Sequence, residues 1–249
     1  ANKKVDNVKI VMNGAGASSL SVVKMLCALG AKKENIIMCD SKGVINKART
    51  DLNKYKQEFV SNTEYSTLKE VIEGADVFIG LSVRDALSPE MLNSMSADPI
   101  VFAMANPNPE IDYDLALKTR SDIIIGTGRS DYPNQINNVL GFPFIFRGAL
   151  DTKSTEINED MKIAVSTTLA RLAKEPAPKE ITDIFGDIKL SKEYIIPKPF
   201  DPRLIIEVSS AVAAAAIKSG VARTKLDIEQ YKKDLLDVYN RDRAKFQDN

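Results

Sequence analysis

The sequence predicts an α/β protein built on a doubly wound parallel sheet of about five strands, followed by C-terminal helices. Three observations carry that expectation. Short runs that are apolar throughout recur along the first half, as parallel strands covered on both faces require. A segment with helical periodicity follows the first of them directly. Past about Gly126 the strand-like runs stop, and only helical patterns and proline-rich connectors remain. Strand, helix, strand in repetition is the pattern of a doubly wound sheet.

The elements follow in order. Val8–Met12 is the first strand candidate. Ser19 to Leu29 follows as a helix, with Leu20, Val23, Leu26 and Leu29 at helical spacing and Gly30 where a C-terminal cap belongs. Ile36–Cys39, Val77–Ile79, Ile100–Ala103 and Ile123–Ile125 complete a set of five strands. Ile157 to Ala173 is the next helix, and Glu175-Pro176-Ala177-Pro178 breaks it. A second proline-rich connector, Pro197 to Pro202, precedes an alanine-rich helix from Leu204 to Lys218, which Gly220 ends. Leu226 to Phe246 reads as a charged, amphipathic last helix. The expected division is 1–150 for the sheet domain and 151–249 for a helical extension packing on it.

Composition narrows the function. Lys plus Arg number 34 and Asp plus Glu also number 34, so no overall field would draw the chain to nucleic acid or to an anionic membrane. The longest apolar run near the C-terminus, Ala211 to Ile217, is far short of the roughly 20 residues a spanning helix needs. The polar start, Ala1-Asn2-Lys3-Lys4, does not read as a secretory signal. The two cysteines, Cys27 and Cys39, lie in apolar stretches and read as buried free thiols in a reducing compartment, so the expected location is cytoplasmic, with an organelle matrix as the alternative. The chain has no histidine, which excludes a Ser-His-Asp triad, a Cys-His pair and a His-ligated zinc on it. Hydride transfer needs no such group, because a nicotinamide cofactor supplies the chemistry.

The most informative stretch is Asn13-Gly14-Ala15-Gly16-Ala17-Ser18-Ser19. Gly14 suits a sharp strand-to-helix turn. Gly16 lets backbone approach a pyrophosphate, which would sit on the free N–H groups at the helix start. The third glycine of the usual pattern is replaced by Ser19. The context, after a strand and opening a helix, points to a dinucleotide, with Gly14, Ala15, Gly16, Ala17 and Ser18 as the phosphate cradle. The alternative is a tight structural turn. Asp40 ends the second strand, somewhat beyond the usual spacing of about 20 residues past the glycine loop. A carboxylate there accepts hydrogen bonds from the ribose hydroxyls of NAD and repels a 2′-phosphate, so NAD is favoured over NADP. Ser41, Lys42 and Arg49 nearby are capable of binding a phosphate, and a strand-end turn is the plainer role for Asp40.

Several stretches together resemble the NAD-binding domain of malic enzymes of the shorter bacterial type. These are Asn13–Ala17, Met38–Gly43, Gly80-Leu81-Ser82, Ala105-Asn106-Pro107, Gly126–Asn138, Phe146–Asp151 and Pro199–Arg203. The resemblance runs from about Val8 to about Leu235. It implies oxidative decarboxylation of malate to pyruvate and carbon dioxide with NAD or NADP and Mg²⁺ or Mn²⁺, in a homodimer. Asn106 and Asn137 then match positions that touch the substrate's carboxylates, with Asn138 beside them as a further substrate-binding candidate; Ser82, at a strand end, and Asn106 are candidate coenzyme contacts. Asn106 follows a strand at the sheet edge where ligands bind, and its amide is able to donate to a carboxylate. Its plainer role is to start a turn, and that of Asn137 and Asn138 is to cap a helix. The family's acid–base and metal-binding residues precede the glycine loop and match no position here. No catalytic residue or metal ligand is therefore assigned, and Glu156, Glu159 and Asp160 read as a solvated helix start. A catalytic domain N-terminal to this segment is the expected partner, and the isolated chain is expected to be inactive. Two other readings remain: a stand-alone NAD-binding or sensing module, and the NAD domain of another two-domain dehydrogenase.

Overall fold

A computed structural model describes residues 1–247. The chain forms two compact units, Ala1–Ile136 and Asn137–Asn249. The division falls before the 150/151 junction expected from the sequence. The physical reason is local: the helix that contains Gly148 packs within the second unit, as described below.

In the first unit, β1 (Ile10–Asn13) passes through the glycine loop into α1 (Ala17–Ala28). β2 (Ile36–Asp40) turns through Ser41 and Lys42 into the short β3 (Gly43–Val44). There follow α2 (Lys54–Gln57), α3 (Leu68–Ile72), β4 (Val77–Gly80), α4 (Pro89–Ser94), β5 (Ile100–Ala103), α5 (Tyr113–Thr119) and β6 (Ile124–Thr127). The sheet order is β3-β2-β1-β4-β5-β6. β1, β2, β4, β5 and β6 are parallel, and only β3 runs antiparallel, against β2. The five expected strands are the five parallel ones. β3 escaped the sequence because two residues give no periodicity to read.

Each strand divides its apolar residues between two cores. Ile10 and Met12, Ile36 and Met38, and Val77 and Ile79 face one side, where Val23, Leu20 and Leu26 of α1 cover them. Val11, Cys39, Phe78, Val101 and Ile125 face the other, under α3, α4 and α5. Alternate side chains of a strand point to opposite faces, so runs that are apolar throughout serve both layers. Burial raises the Cys39 thiol to about 12, which suits an inert core residue.

The chain winds outward from β1 to β2, then returns past β1 to β4, β5 and β6. The strand order therefore reverses between β1 and β4, and a crevice opens at their carboxyl ends. The register places those ends in line: Asn13 pairs with Cys39 and with Gly80, and Gly80 pairs with Ala103.

The second unit is helical. A 3₁₀ turn at Asn138–Leu140 precedes α6 (Phe142–Asp151), α7 (Glu159–Lys174) and α8 (Lys179–Phe185). A π-helical turn, Leu204–Val208, then runs into α9 (Ser209–Lys218), and α10 (Ile228–Gln247) closes the described chain. Asn158 caps α7 by accepting from the Met161 N–H at 3.1 Å, and α7 ends one residue before Glu175-Pro176. Leu140, Met161, Val165, Leu172, Leu204, Val208 and Val212 form the core. α6 lies close on α9 because Gly148 has no side chain: a Cβ there would stand 2.5 Å from the Ser209 carbonyl oxygen and 2.8 Å from Val212. The Tyr231 hydroxyl of α10 donates to Asp151 of α6 at 2.7 Å. No helix among the described residues is long and apolar enough to cross a membrane.

Candidate functional site

The crevice between β1 and β4 is lined by loops whose shape follows from two glycines with different duties. Gly14 has φ +115°, and a Cβ on it would overlap the Leu81 carbonyl at 2.4 Å, so only glycine fits. Its N–H donates to the Cys39 carbonyl at 2.9 Å, and the Leu81 N–H donates to the Asn13 carbonyl at 2.8 Å, which seals the loop onto both neighbouring strands. Gly16 is different. Its φ is −84°, and nothing lies within 4 Å of where its Cβ would stand. The fold does not require glycine there.

Gly16 is also the N-cap of α1, and no side chain caps that helix start. The first turn holds no acidic residue either. Gly16, Ala17 and Ser18 are exposed, while Ser19 is buried against the loop, its hydroxyl 3.4 Å from the position of a Gly14 Cβ. By contrast, Asn53, Thr67, Ser88 and Asp112 cap α2, α3, α4 and α5 with side-chain oxygens. The N–H groups at the start of α1 thus face the crevice with positive dipole and no protein acceptor from a cap.

Asp40 ends β2 beside this loop. Its carboxylate accepts from Arg49 at 3.1 and 3.3 Å, from Lys56 Nζ at 2.6 Å and from the Lys42 N–H at 2.9 Å. Burial by itself would raise its pKa, but the bonds from Arg49, Lys56 and Lys42 outweigh that and hold the carboxyl at about 2. Arg49 and Lys42 also pair with Asp51. Three cations therefore surround two carboxylates, with one positive charge left over. Lys56 was not singled out from the sequence, since it lies on α2, well past the loop it serves. Ser41 is exposed at the turn.

On the other side of the crevice, Ser82 follows β4. Asn13 Nδ2 donates to Ser82 Oγ at 2.8 Å, and Ser82 donates through both its N–H (2.9 Å) and its hydroxyl (3.0 Å) to Glu110 Oε1. Glu110 Oε2 accepts from the Ala105 N–H at 3.0 Å. Glu110 is 0% exposed. Sequence reasoning missed it. The one signal was Gly80, a glycine at a strand end, which marks close approach of another group: a Cβ on Gly80 would collide with the Glu110 carboxylate. Asn106, beside Ala105, is exposed at this same carboxyl edge.

Asn137 and Asn138 belong to the second unit. Both are exposed, and Asn137 Oδ1 accepts from the Val139 N–H at 3.0 Å, capping the 3₁₀ turn. Among the described residues no group of three or more Asp, Glu, Cys or His is placed to hold a metal ion. The donor set present does not fit the Mg²⁺ or Mn²⁺ implied above, and no step is assigned to a metal.

A doubly wound sheet with an uncapped helix start at its switch point, and a carboxylate at the end of the second strand, defines a dinucleotide-binding domain. Residues 1–195 match the sequence profile described as malic enzyme, NAD binding domain, and the chain belongs to that family. It is 51% identical over 241 residues to the NADP-dependent malic enzyme of Halomonas elongata, covering 96% of this chain and 57% of that protein. It is 43% identical to the NAD-dependent malic enzyme of Rhizobium meliloti, covering 97% of this chain and 31% of that one. The crystal structure of Entamoeba histolytica malic enzyme superposes with a TM-score of 0.86 at 32% identity, over 99% of this chain and 51% of that chain. The chain thus spans between about a third and somewhat over half the length of these relatives.

Proposed function

We propose that this chain is the coenzyme-binding portion of a malic enzyme. It would hold NADP or NAD at the β1–β4 crevice while malate is oxidatively decarboxylated to pyruvate. The observation that carries the reading is Gly16. The glycine is not needed for its dihedral angles or for packing, yet its missing side chain leaves backbone N–H groups approachable at a helix start. A pyrophosphate uses that opening; a tight turn alone does not. The backbone of Gly14 to Ser18 would cradle the pyrophosphate, and Asp40 and Ser41 would face the adenosine ribose. Ser82 and Asn106 would line the nicotinamide side, and Asn106, Asn137 and Asn138 are the proposed contacts to substrate carboxylates. When bound, the coenzyme supplies the hydride acceptor.

The cluster around Asp40 revises the coenzyme preference. A free carboxylate at that position would repel a 2′-phosphate, but this one is already bonded to Arg49 and Lys56. The surplus positive charge favours a 2′-phosphate carrying roughly −1.5 to −2. NADP is therefore the preferred coenzyme and NAD the weaker one, in keeping with the name of the Halomonas elongata relative. A homodimer would also give the exposed Phe142, Phe146 and Leu150 of α6 an apolar neighbour. The unpaired thiols Cys27 and Cys39 suit a reducing cytoplasm.

Calorimetric titration with NADP⁺ and NAD⁺ tests the reading. Saturable binding is expected, tighter for NADP⁺, and weakened at least about tenfold by Gly16→Val. Equal binding by wild type and Gly16→Val would remove the pyrophosphate from this loop.

A further inference from the structure

In this fold the adenosine half of a dinucleotide lies toward the acidic end of the second strand, and the other half lies across the switch point. Here that places the nicotinamide half over the loops that leave β4 and β5. Those loops are joined by one side chain. Glu110 is fully buried, and its two carboxylate oxygens take three donors: the N–H and hydroxyl of Ser82 from one loop and the N–H of Ala105 from the other. The Ser82 hydroxyl, its hydrogen directed at Glu110, accepts in turn from Asn13 at the end of β1. The β1, β4 and β5 ends are thereby tied at side-chain level as well as through the sheet.

All three partners of Glu110 donate, so an acceptor-only group fits and an amide does not. A glutamine would turn an N–H toward either the Ser82 or the Ala105 N–H and leave a donor unmatched. The sequence also gives up a side chain at Gly80 to admit this carboxylate. Burying an anion is costly, and hydrogen bonds to the charged form are what make it tolerable. Two positions are thus committed to a buried anion that holds Ser82 and the residue before Asn106 in place.

We propose that Glu110 is a positioning residue for the nicotinamide half of the coenzyme, acting through Ser82 and Ala105 rather than by contact. The proposal rests on the coenzyme reading above. The test compares NADP⁺ with 2′,5′-ADP, which carries the adenosine half alone, on wild type and Glu110→Gln by calorimetry. Glu110→Gln should weaken NADP⁺ about tenfold, the loss expected when a charge-assisted hydrogen bond no longer holds a loop, and leave 2′,5′-ADP within about twofold. A merely structural role would weaken both ligands alike, and that result, or no loss for either, overturns the positioning role while leaving the coenzyme site standing. Wild type that binds neither ligand overturns the coenzyme reading and this proposal with it. Should Glu110→Gln fail to fold, amide exchange in wild type decides. The Ser82 and Ala105 amides should exchange more slowly with NADP⁺ and unchanged with 2′,5′-ADP; the same response to both ligands overturns the role.

Discussion

At the scale of single residues, the two loop glycines make opposite predictions. Gly14→Ala forces a Cβ into the Leu81 carbonyl from a left-handed backbone, and should cost at least about 1–3 kcal/mol of stability. Gly16→Ala meets nothing within 4 Å, and should cost no more than about 1 kcal/mol, the preference of a helix N-cap for glycine over alanine. Urea denaturation of both variants measures the difference; similar losses would mean that Gly16 also serves the fold. The motif Gly14-Ala15-Gly16 and a different duty for each glycine were expected from the sequence, but what bars a side chain at Gly14 and admits one at Gly16 was not readable there. It depends on what lies opposite each Cα, which is set by β4. Glu110 was unreadable for the same reason. A glutamate after Pro109 looks like a surface residue until the fold brings Ser82 and Ala105 around it.

At the scale of elements, the β2–β3 turn and α2 act together through Asp40. Its carboxyl is held at about 2, against an ordinary 3.8, because Arg49 and Lys56 favour the charged form. A depressed folded-state pKa gives stability that is present above the unfolded value and lost as pH falls through the folded one. Asp40→Asn should therefore cost up to about 2 kcal/mol near neutral pH. The gap to wild type should close between about pH 4 and pH 2, followed by denaturation midpoints across that range. A gap unchanged down to pH 2 would show that the carboxylate's charge is not what matters. In the second unit, Gly148 lets α6 approach α9, and Gly148→Val should destabilise by about 1–3 kcal/mol or more through overpacking. The stability of that variant is again read from its denaturation midpoint. The legibility of elements followed their burial. Parallel strands covered on both faces are apolar throughout and stand out, as do the long helices α7, α9 and α10. The short α3, α4 and α5 bury only one or two residues each, which leaves too little periodicity to detect.

At the scale of the whole molecule, binding and turnover are expected to separate. The first unit presents what a dinucleotide needs: an uncapped helix start at a switch point and a carboxylate at the end of the second strand with cations beside it. Oxidative decarboxylation needs more. The hydroxyl of malate must lose a proton, the enolate that follows carbon dioxide loss must be stabilised, and a divalent cation commonly does the latter. The described residues offer no set of ligands for such a cation, and the sequence has no histidine to move a proton. In relatives more than one and a half times this length, those groups are expected in the part this chain does not match. The purified chain, given NADP⁺, malate and Mn²⁺, should therefore bind coenzyme in the calorimeter yet form no reduced nicotinamide by absorbance. Metal-dependent formation of NADPH, abolished by Gly16→Val, would instead place a complete catalytic centre within these 249 residues. It would then send the search for the proton-transfer group to the lysines, tyrosines and carboxylates of the crevice.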